Sequence, residues 1–209
     1  VPPRVCKALV LAFSLPPLAL PEKLQVSRDG TRKMLFRFEG NAPAECVVLP
    51  GKDRVIACLS SQSGCACGCT FCATGALGLK RSLTPVEIVA QFEACLKEAG
   101  ELSSLVFMGM GEPFLNWENV KKAILLLSDS RGRHFPQAKM TVSTVGIIPV
   151  IEELMTSGLK VRLAVSVVAA DEAQRAGLAP MEKVYPLKRV IAAAREYCRA
   201  RKAAVMFEY

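Results

Sequence analysis

Aromatic residues are scarce in this chain of 209 residues, at 6% of the total, and its apolar side chains are mostly Ala, Val and Leu. That composition fits helices packed on a sheet better than an all-β sandwich. Internal repeats and low-complexity linkers are absent, so the chain is expected to form one large domain, with or without a small appendage. No apolar run is long enough to span a bilayer. The nearest candidate, Ala8 to Leu20, follows Arg4 and Lys7 in the manner of a signal-peptide core, but Pro16 and Pro17 break it. It is read as the remnant of an N-terminal helical segment, and no membrane association is expected. Acidic residues are in deficit, 19 against 27 Lys and Arg, giving a net charge of +8. Such an excess favours a polyanionic partner through phosphate attraction, with a merely solvated basic surface as the alternative.

Hydrophobic residues make up 51% of the chain, enough for a sizeable core. Nine cysteines would suit a disulfide framework in a short secreted protein, but a chain this large and apolar does not need one. Four of them crowd into Cys65 to Cys72, where such close neighbours make poor disulfide partners for one another. The crowding points instead to metal thiolates in a reducing compartment, taken as the cytoplasm. Because the chain opens on Val1 rather than Met, a plastid or mitochondrial address is left open.

The order of elements points to an α/β fold. Gln25 to Ser27 and Lys33 to Phe38 read as strands around the polar turn Arg28-Asp29-Gly30-Thr31, and Glu45 to Leu49 completes a small antiparallel ribbon. After Gly51, strands alternate with amphipathic helices. Strands are expected at Arg54 to Ser60, Ser104 to Met108, Lys139 to Ser143, Lys160 to Val167 and Ala203 to Glu208. Helices are expected from Pro85 to about Ala99, capped by Thr84, and at Asn116 to Ser128, Ile147 to Ser157 and Leu187 to Arg201. A right-handed βα series of this kind bends into part of a barrel, with the functional loops at the carboxyl ends of the strands. The last strand would have an exposed apolar edge, so a truncated chain is expected.

Within the cysteine loop, Cys65, Cys69 and Cys72 have C-x3-C-x2-C spacing. Three thiolates leave one iron of a [4Fe-4S] cubane without a protein ligand. That iron can chelate the amino and carboxylate groups of S-adenosylmethionine, whose sulfonium the cluster then cleaves reductively. Small residues between the cysteines let the loop wrap around the metal. The rival is a structural zinc site, with Cys67 or Cys58 as the fourth thiolate. Cys67 is read as an unliganded thiol.

Cys58-Leu59-Ser60-Ser61-Gln62-Ser63-Gly64-Cys65, the cysteine loop itself, and Phe107-Met108-Gly109-Met110-Gly111-Glu112-Pro113 together resemble the RlmN/Cfr family of radical SAM adenine RNA methyltransferases. Asp29-Gly30-Thr31-Arg32-Lys33, Ser143-Thr144-Val145-Gly146 and Phe207-Glu208-Tyr209 extend the resemblance, which runs from about Ser14 to Tyr209. It implies a partial (βα) TIM-like barrel of the radical SAM type over residues 51–209, incomplete at its C-terminal end. Residues 1–50 would be the remnant of an accessory domain plus the β-ribbon.

The resemblance also assigns roles. Gly111 and Glu112 match the pair that contacts the methionyl part of the cofactor, the carboxylate meeting its ammonium. Ser143 and Ser166 match positions that hydrogen-bond the cofactor. The family continues from the second serine with Leu-His, where this chain has Val167 and Val168, so one polar contact is replaced by an apolar group. Cys58 matches a thiol that resolves a protein–RNA crosslink, and Glu45 matches the proton acceptor. The methyl-carrying cysteine of the family lies beyond Tyr209 and has no counterpart; Cys198 is expected to serve packing. The implied activity is methylation of carbon 2 of an adenosine in 23S rRNA, and in tRNA, by a monomer supplied with electrons by a flavodoxin or ferredoxin. Residues 1–209 alone are expected not to complete methyl transfer. The alternatives are a radical SAM relative with another substrate, a degenerate paralogue that keeps the cluster, and a zinc-binding RNA module without enzymatic activity.

Overall fold

The computed structural model describes residues 2–5 and 18–209, so nearly all of the expected helical remnant at Ala8 to Leu20 lies outside the described residues. Strands β1 (Lys23–Val26), β2 (Arg32–Phe38), β3 (Ala42–Pro50), β4 (Val55–Cys58), β7 (Ser104–Phe107), β8 (Met140–Thr144), β9 (Arg162–Ser166) and β10 (Val205–Glu208) form one eight-stranded sheet in that order. The first four are joined antiparallel, and from β4 onward every pairing is parallel. The expected ribbon is therefore hydrogen-bonded into the sheet through β3 and β4, and the change to parallel pairing follows the turn at Gly51.

Among the described residues, these strands are connected or flanked by helices α1 (Ala73–Ala76), α2 (Pro85–Ala99), α3 (Trp117–Ser128), α4 (Ile148–Thr156), α5 (Glu172–Leu178) and α6 (Leu187–Arg201). Their apolar faces supply Ile88, Phe92, Val120, Ile124, Ile151, Leu154, Val190 and Tyr197 to one core. The sheet contributes Met34, Phe36, Cys46, Val48, Leu105, Phe107, Val142, Leu163 and Val165. Because side chains alternate across a strand, the residues between these face the other way. By register, Glu45, Cys58, Val106, Thr141, Ser143, Ser166 and Glu208 share that second face.

Several sequence expectations need correction. The strand expected at Arg54 to Ser60 covers only Val55–Cys58, and a further strand stands between it and the cysteine loop. Gln62–Gly64 forms β5, which pairs antiparallel with β6 (Leu79–Ser82) in a separate two-stranded sheet that closes the base of the loop. These strands are short and mostly polar, β5 buried and β6 partly exposed, with no alternating pattern to reveal them. The helix expected from Asn116 begins at Trp117, after a 3-10 turn at Pro113–Asn116. Helix α5 and the 3-10 turn Pro180–Lys183 occupy a stretch with no assignment from sequence. Strand β9 ends at Ser166, and Val168 takes φ +69°. No helix among the described residues is long and apolar enough to cross a membrane.

Helix α2 starts as its residues dictate. Thr84 Oγ1 accepts from the Glu87 amide at 3.3 Å, and Glu87 Oε2 accepts from the Thr84 amide at 2.8 Å, a reciprocal capping box with Pro85 in the first turn. Arg81 on β6 also grips Glu87, linking the small sheet to this helix. Burial pulls the Glu87 carboxyl upward, but the Arg81 guanidinium and the Thr84 amide outweigh it and hold the group below its ordinary value of 4.5. A carboxyl depressed by folding stabilises above its unfolded pKa, and that contribution fades as pH falls through the folded value. The substitution Glu87→Gln is therefore expected to cost about 1–2 kcal/mol at pH 7, the scale of a charge-assisted hydrogen bond. In urea denaturation the gap to the wild type should shrink below pH 4.5. A gap independent of pH would place the effect elsewhere.

Candidate active site

At the carboxyl ends of the parallel strands lies a cavity of about 680 Å³, within the range of small-molecule sites. Cys65, Cys69 and Cys72 line it, with Gly111, Glu112, Ser143, Ser166 and Val168. The residues singled out from the cysteine loop, the glycine motif and two strand ends thus meet at one place. Cys67, Thr144, Leu178 and Glu208 line it as well. Glu45, Cys58 and Val167 do not, although Glu45 and Cys58 stand on the same sheet face.

The cysteine loop is held from two sides. At its base the Cys65 amide donates to the Gly78 carbonyl at 3.1 Å, and Gly64, at φ +78°, leaves no room for a side chain: a Cβ there would lie 1.8 Å from the Gly78 oxygen. At its tip the Thr70 amide donates to the Leu178 carbonyl of α5 at 2.9 Å. Inside the loop, the interaction between the neighbouring Cys65 and Cys67 thiols lowers the Cys65 thiol and raises that of Cys67. Cys67 is buried within the loop. Burial and the neighbouring Cys65 push the Cys69 thiol up. No three His, Cys, Asp or Glu side chains among the described residues are grouped closely enough to hold a single metal ion. The donor chemistry of the loop, three thiols opening on one cavity beside a glycine-rich turn, fits a sulfur-ligated iron cluster with one corner left to a ligand.

The glycine motif forms the opposite wall. Gly111 takes φ +94°, and a Cβ there would lie 2.5 Å from the Gln62 Cβ, so only glycine lets the turn close onto β5. Gln62 Oε1 accepts from the Glu112 amide at 3.0 Å. The Glu112 carboxylate, 3% exposed, accepts from the Phe114 amide at 3.0 Å and the Val145 amide at 2.9 Å. Burial nevertheless raises it to about 7. A buried carboxylate beside a cavity suits a cationic ligand group.

On the β8–β10 side, Ser143 and Ser166 stand with Oγ atoms 3.4 Å apart. Both donate to Glu208 Oε2, at 2.8 and 2.7 Å. Glu208 escaped the sequence reading as a site residue; its register opposite Ser166 is what brings it there. Val168 occupies a left-handed conformation that a β-branched residue rarely adopts. The Val167 and Val168 amides both donate to the Glu208 carbonyl, and Arg175 Nε donates to the Val167 carbonyl at 3.0 Å, so the surroundings impose this conformation.

Arg175, behind the cavity wall rather than in it, is another residue that sequence reasoning missed. Fully buried, it pairs with Glu182 and donates to the carbonyls of Val167, Val145 and Tyr185. It thereby ties the loops leaving β8 and β9 to the start of α6. Glu45, within β3 and opposite Leu35 of β2, pairs with Lys33 at 3.2 Å and stays accessible. The Cys58 thiol is pushed up to about 11, chiefly by burial. Cys198 sits half-buried on α6, away from the cavity.

Comparison with known proteins gives a consistent picture. Residues 59–207 match the Radical SAM superfamily. The chain is similar to a probable dual-specificity RNA methyltransferase RlmN from Roseiflexus sp. (strain RS-1), 38% identical over 250 residues that cover 100% of this chain and 62% of that protein. It is also similar to the dual-specificity RNA methyltransferase RlmN of Syntrophotalea carbinolica, 45% identical over 190 residues that cover 90% of this chain and 51% of that protein. A crystal structure of a radical SAM methyltransferase from Sphaerobacter thermophilus superposes with a TM-score of 0.91 at 39% identity, covering 100% of this chain and 62% of that one. The chain spans about half to three-fifths of the length of these curated relatives.

Proposed function

Because this chain belongs to the Radical SAM superfamily, we propose that it is the cofactor-binding core of an RNA methyltransferase that modifies carbon 2 of an adenosine in 23S rRNA and in tRNA. The observation that carries this reading is the convergence of Cys65, Cys69 and Cys72 with Gly111, Glu112, Ser143 and Ser166 on one cavity. The names of the relatives, RNA methyltransferases, support the substrate class.

The three thiolates would hold a [4Fe-4S] cluster, which when bound supplies the electron that cleaves the sulfonium of S-adenosylmethionine. The residues of this chain do the rest by placement. Gly111 lets the main chain approach the cofactor closely, and Glu112, preorganised by the Val145 and Phe114 amides, faces its ammonium. Ser143 and Ser166 meet its nucleoside end. Cys58 and Glu45 stand on the same sheet face, toward the ribbon. Glu45 is exposed enough to reach a large substrate and would accept the ring proton, while Cys58 would supply the resolving thiol. The net charge of +8 supports approach of a polyanion.

The decisive experiment is anaerobic reconstitution with iron and sulfide, followed by S-adenosylmethionine and a reductant. A brown protein that releases 5′-deoxyadenosine is expected, and Cys69→Ser should abolish both colour and product. A protein that takes up no iron sinks the proposal. The competing reading is a four-thiolate zinc site with Cys67 as the fourth ligand, although no three such side chains among the described residues are grouped closely enough to hold one metal ion. Stoichiometric zinc in a colourless protein would establish it.

A further inference from the structure

A serine hydroxyl carries one proton and two lone pairs, so by itself it can donate to a ligand or accept from one. In this cavity that freedom is gone. Ser143 and Ser166 each donate their only proton to the same atom, Glu208 Oε2, at 2.8 and 2.7 Å. What remains at the cavity wall is a set of lone pairs from two hydroxyl oxygens. Glu208 Oε1, which accepts no hydrogen bond among the described residues, adds another acceptor. The cluster is built by register: Glu208 lies opposite Ser166 in the β9–β10 pairing, and Ser143 lies opposite Ala164, two residues before Ser166 on the same face. The main chain locks it, since the Val167 and Val168 amides donate to the Glu208 carbonyl.

We propose that Glu208 is a positioning residue that turns Ser143 and Ser166 into hydrogen-bond acceptors and so selects a ligand group with two adjacent donors, the ribose diol of the adenosyl cofactor. This inference rests on the cofactor assignment above. Of the donors on that cofactor, the ammonium is matched by the buried carboxylate of Glu112 on the opposite wall, and the adenine amino group carries both its protons on one nitrogen, so two separate acceptor oxygens 3.4 Å apart beside β9 and β10 fit the two ribose hydroxyls best. A vicinal diol places two protons side by side, as the paired serine oxygens require. The carboxylate behind them polarises both hydroxyls, strengthening each as an acceptor.

The test is anaerobic calorimetric titration of the cluster-loaded chain with S-adenosylhomocysteine and with its 2′-deoxy and 3′-deoxy ribose analogues. The wild type is expected to bind the ribose form about ten-fold or more tightly than either analogue, the scale of one hydrogen bond to a charge-backed acceptor. In Glu208→Ala the serine protons are released, and discrimination should fall to less than about three-fold while affinity for all three ligands drops. General damage to the site would instead lower the three affinities in parallel and preserve their ratio. An unchanged ratio overturns the role of Glu208 and leaves the cofactor assignment intact. Failure of the wild type to bind S-adenosylhomocysteine overturns both. Should Glu208→Ala not fold, Ser166→Ala keeps the carboxylate paired with Ser143 and is expected to lose discrimination at one ribose hydroxyl only. Undiminished discrimination at both hydroxyls would overturn the inference.

Discussion

Replacing Arg175 with methionine is expected to destabilise the folded chain by about 3–5 kcal/mol, the scale of breaking a buried ion pair. The guanidinium is fully buried, so its removal strands the Glu182 carboxylate, 7% exposed, without its cation. Glu182 would keep only the Leu187 amide at the start of α6. The Val145 and Tyr185 carbonyls would lose the donor that Arg175 supplies, while Val167 keeps the Ala169 amide, and buried acceptors left unpaired add their own cost. Urea denaturation of the cluster-free protein measures the effect. A double substitution, Arg175→Met with Glu182→Leu, removes both charges and should recover much of the loss, as apolar replacements of buried pairs commonly do. A single variant within about 1 kcal/mol of the wild type would mean that the ion pair merely breaks even against its desolvation.

The second large effect is local. Gly64→Ala would place a methyl group 1.8 Å from the Gly78 carbonyl oxygen, on a residue whose φ of +78° already disfavours any side chain. The obstacle is backbone on both sides, so no rotamer change relieves it. Strands β5 and β6 must separate, and Cys65 loses its hydrogen bond to Gly78. The expected outcome is a protein that folds, with the sheet and α2 retained by circular dichroism, but incorporates less than about a tenth of the wild-type iron, since thiolate geometry governs cluster capture. Wild-type iron content in this variant would show that the ribbon is not what sets the loop.

How far the sequence foretold these features depends on the range of the signal. Thr84, Pro85 and Glu87 announce α2 because a capping box needs only four consecutive residues, and the helix begins and ends where that reading placed it. The alternation of strands and helices from β4 to β10 is legible for the same reason: each βα unit buries a periodic face. Cys65, Cys69 and Cys72 stand out by spacing, and the structure places all three on the cavity. Strands β5 and β6 were invisible because three or four mostly polar residues carry no period, and their pairing spans the whole cysteine loop. Arg175 sits in a short polar stretch that reads as surface; its burial follows from partners on three other segments. Glu208 has no local signature either, since its contact with Ser143 bridges 65 residues of chain. The spacing gave no sign that Cys67 would be buried in the loop beside Cys65.

The hydrogen bond between Thr70 and Leu178 joins positions 108 residues apart, and that separation governs timing. Chains emerge from the ribosome N-terminus first, so the cysteines appear long before the helix that steadies their loop. Closing so long a stretch costs entropy that is recovered only when α5 docks. During synthesis the loop that carries the three cysteines therefore lacks this brace until Leu178 has been made and α5 has folded.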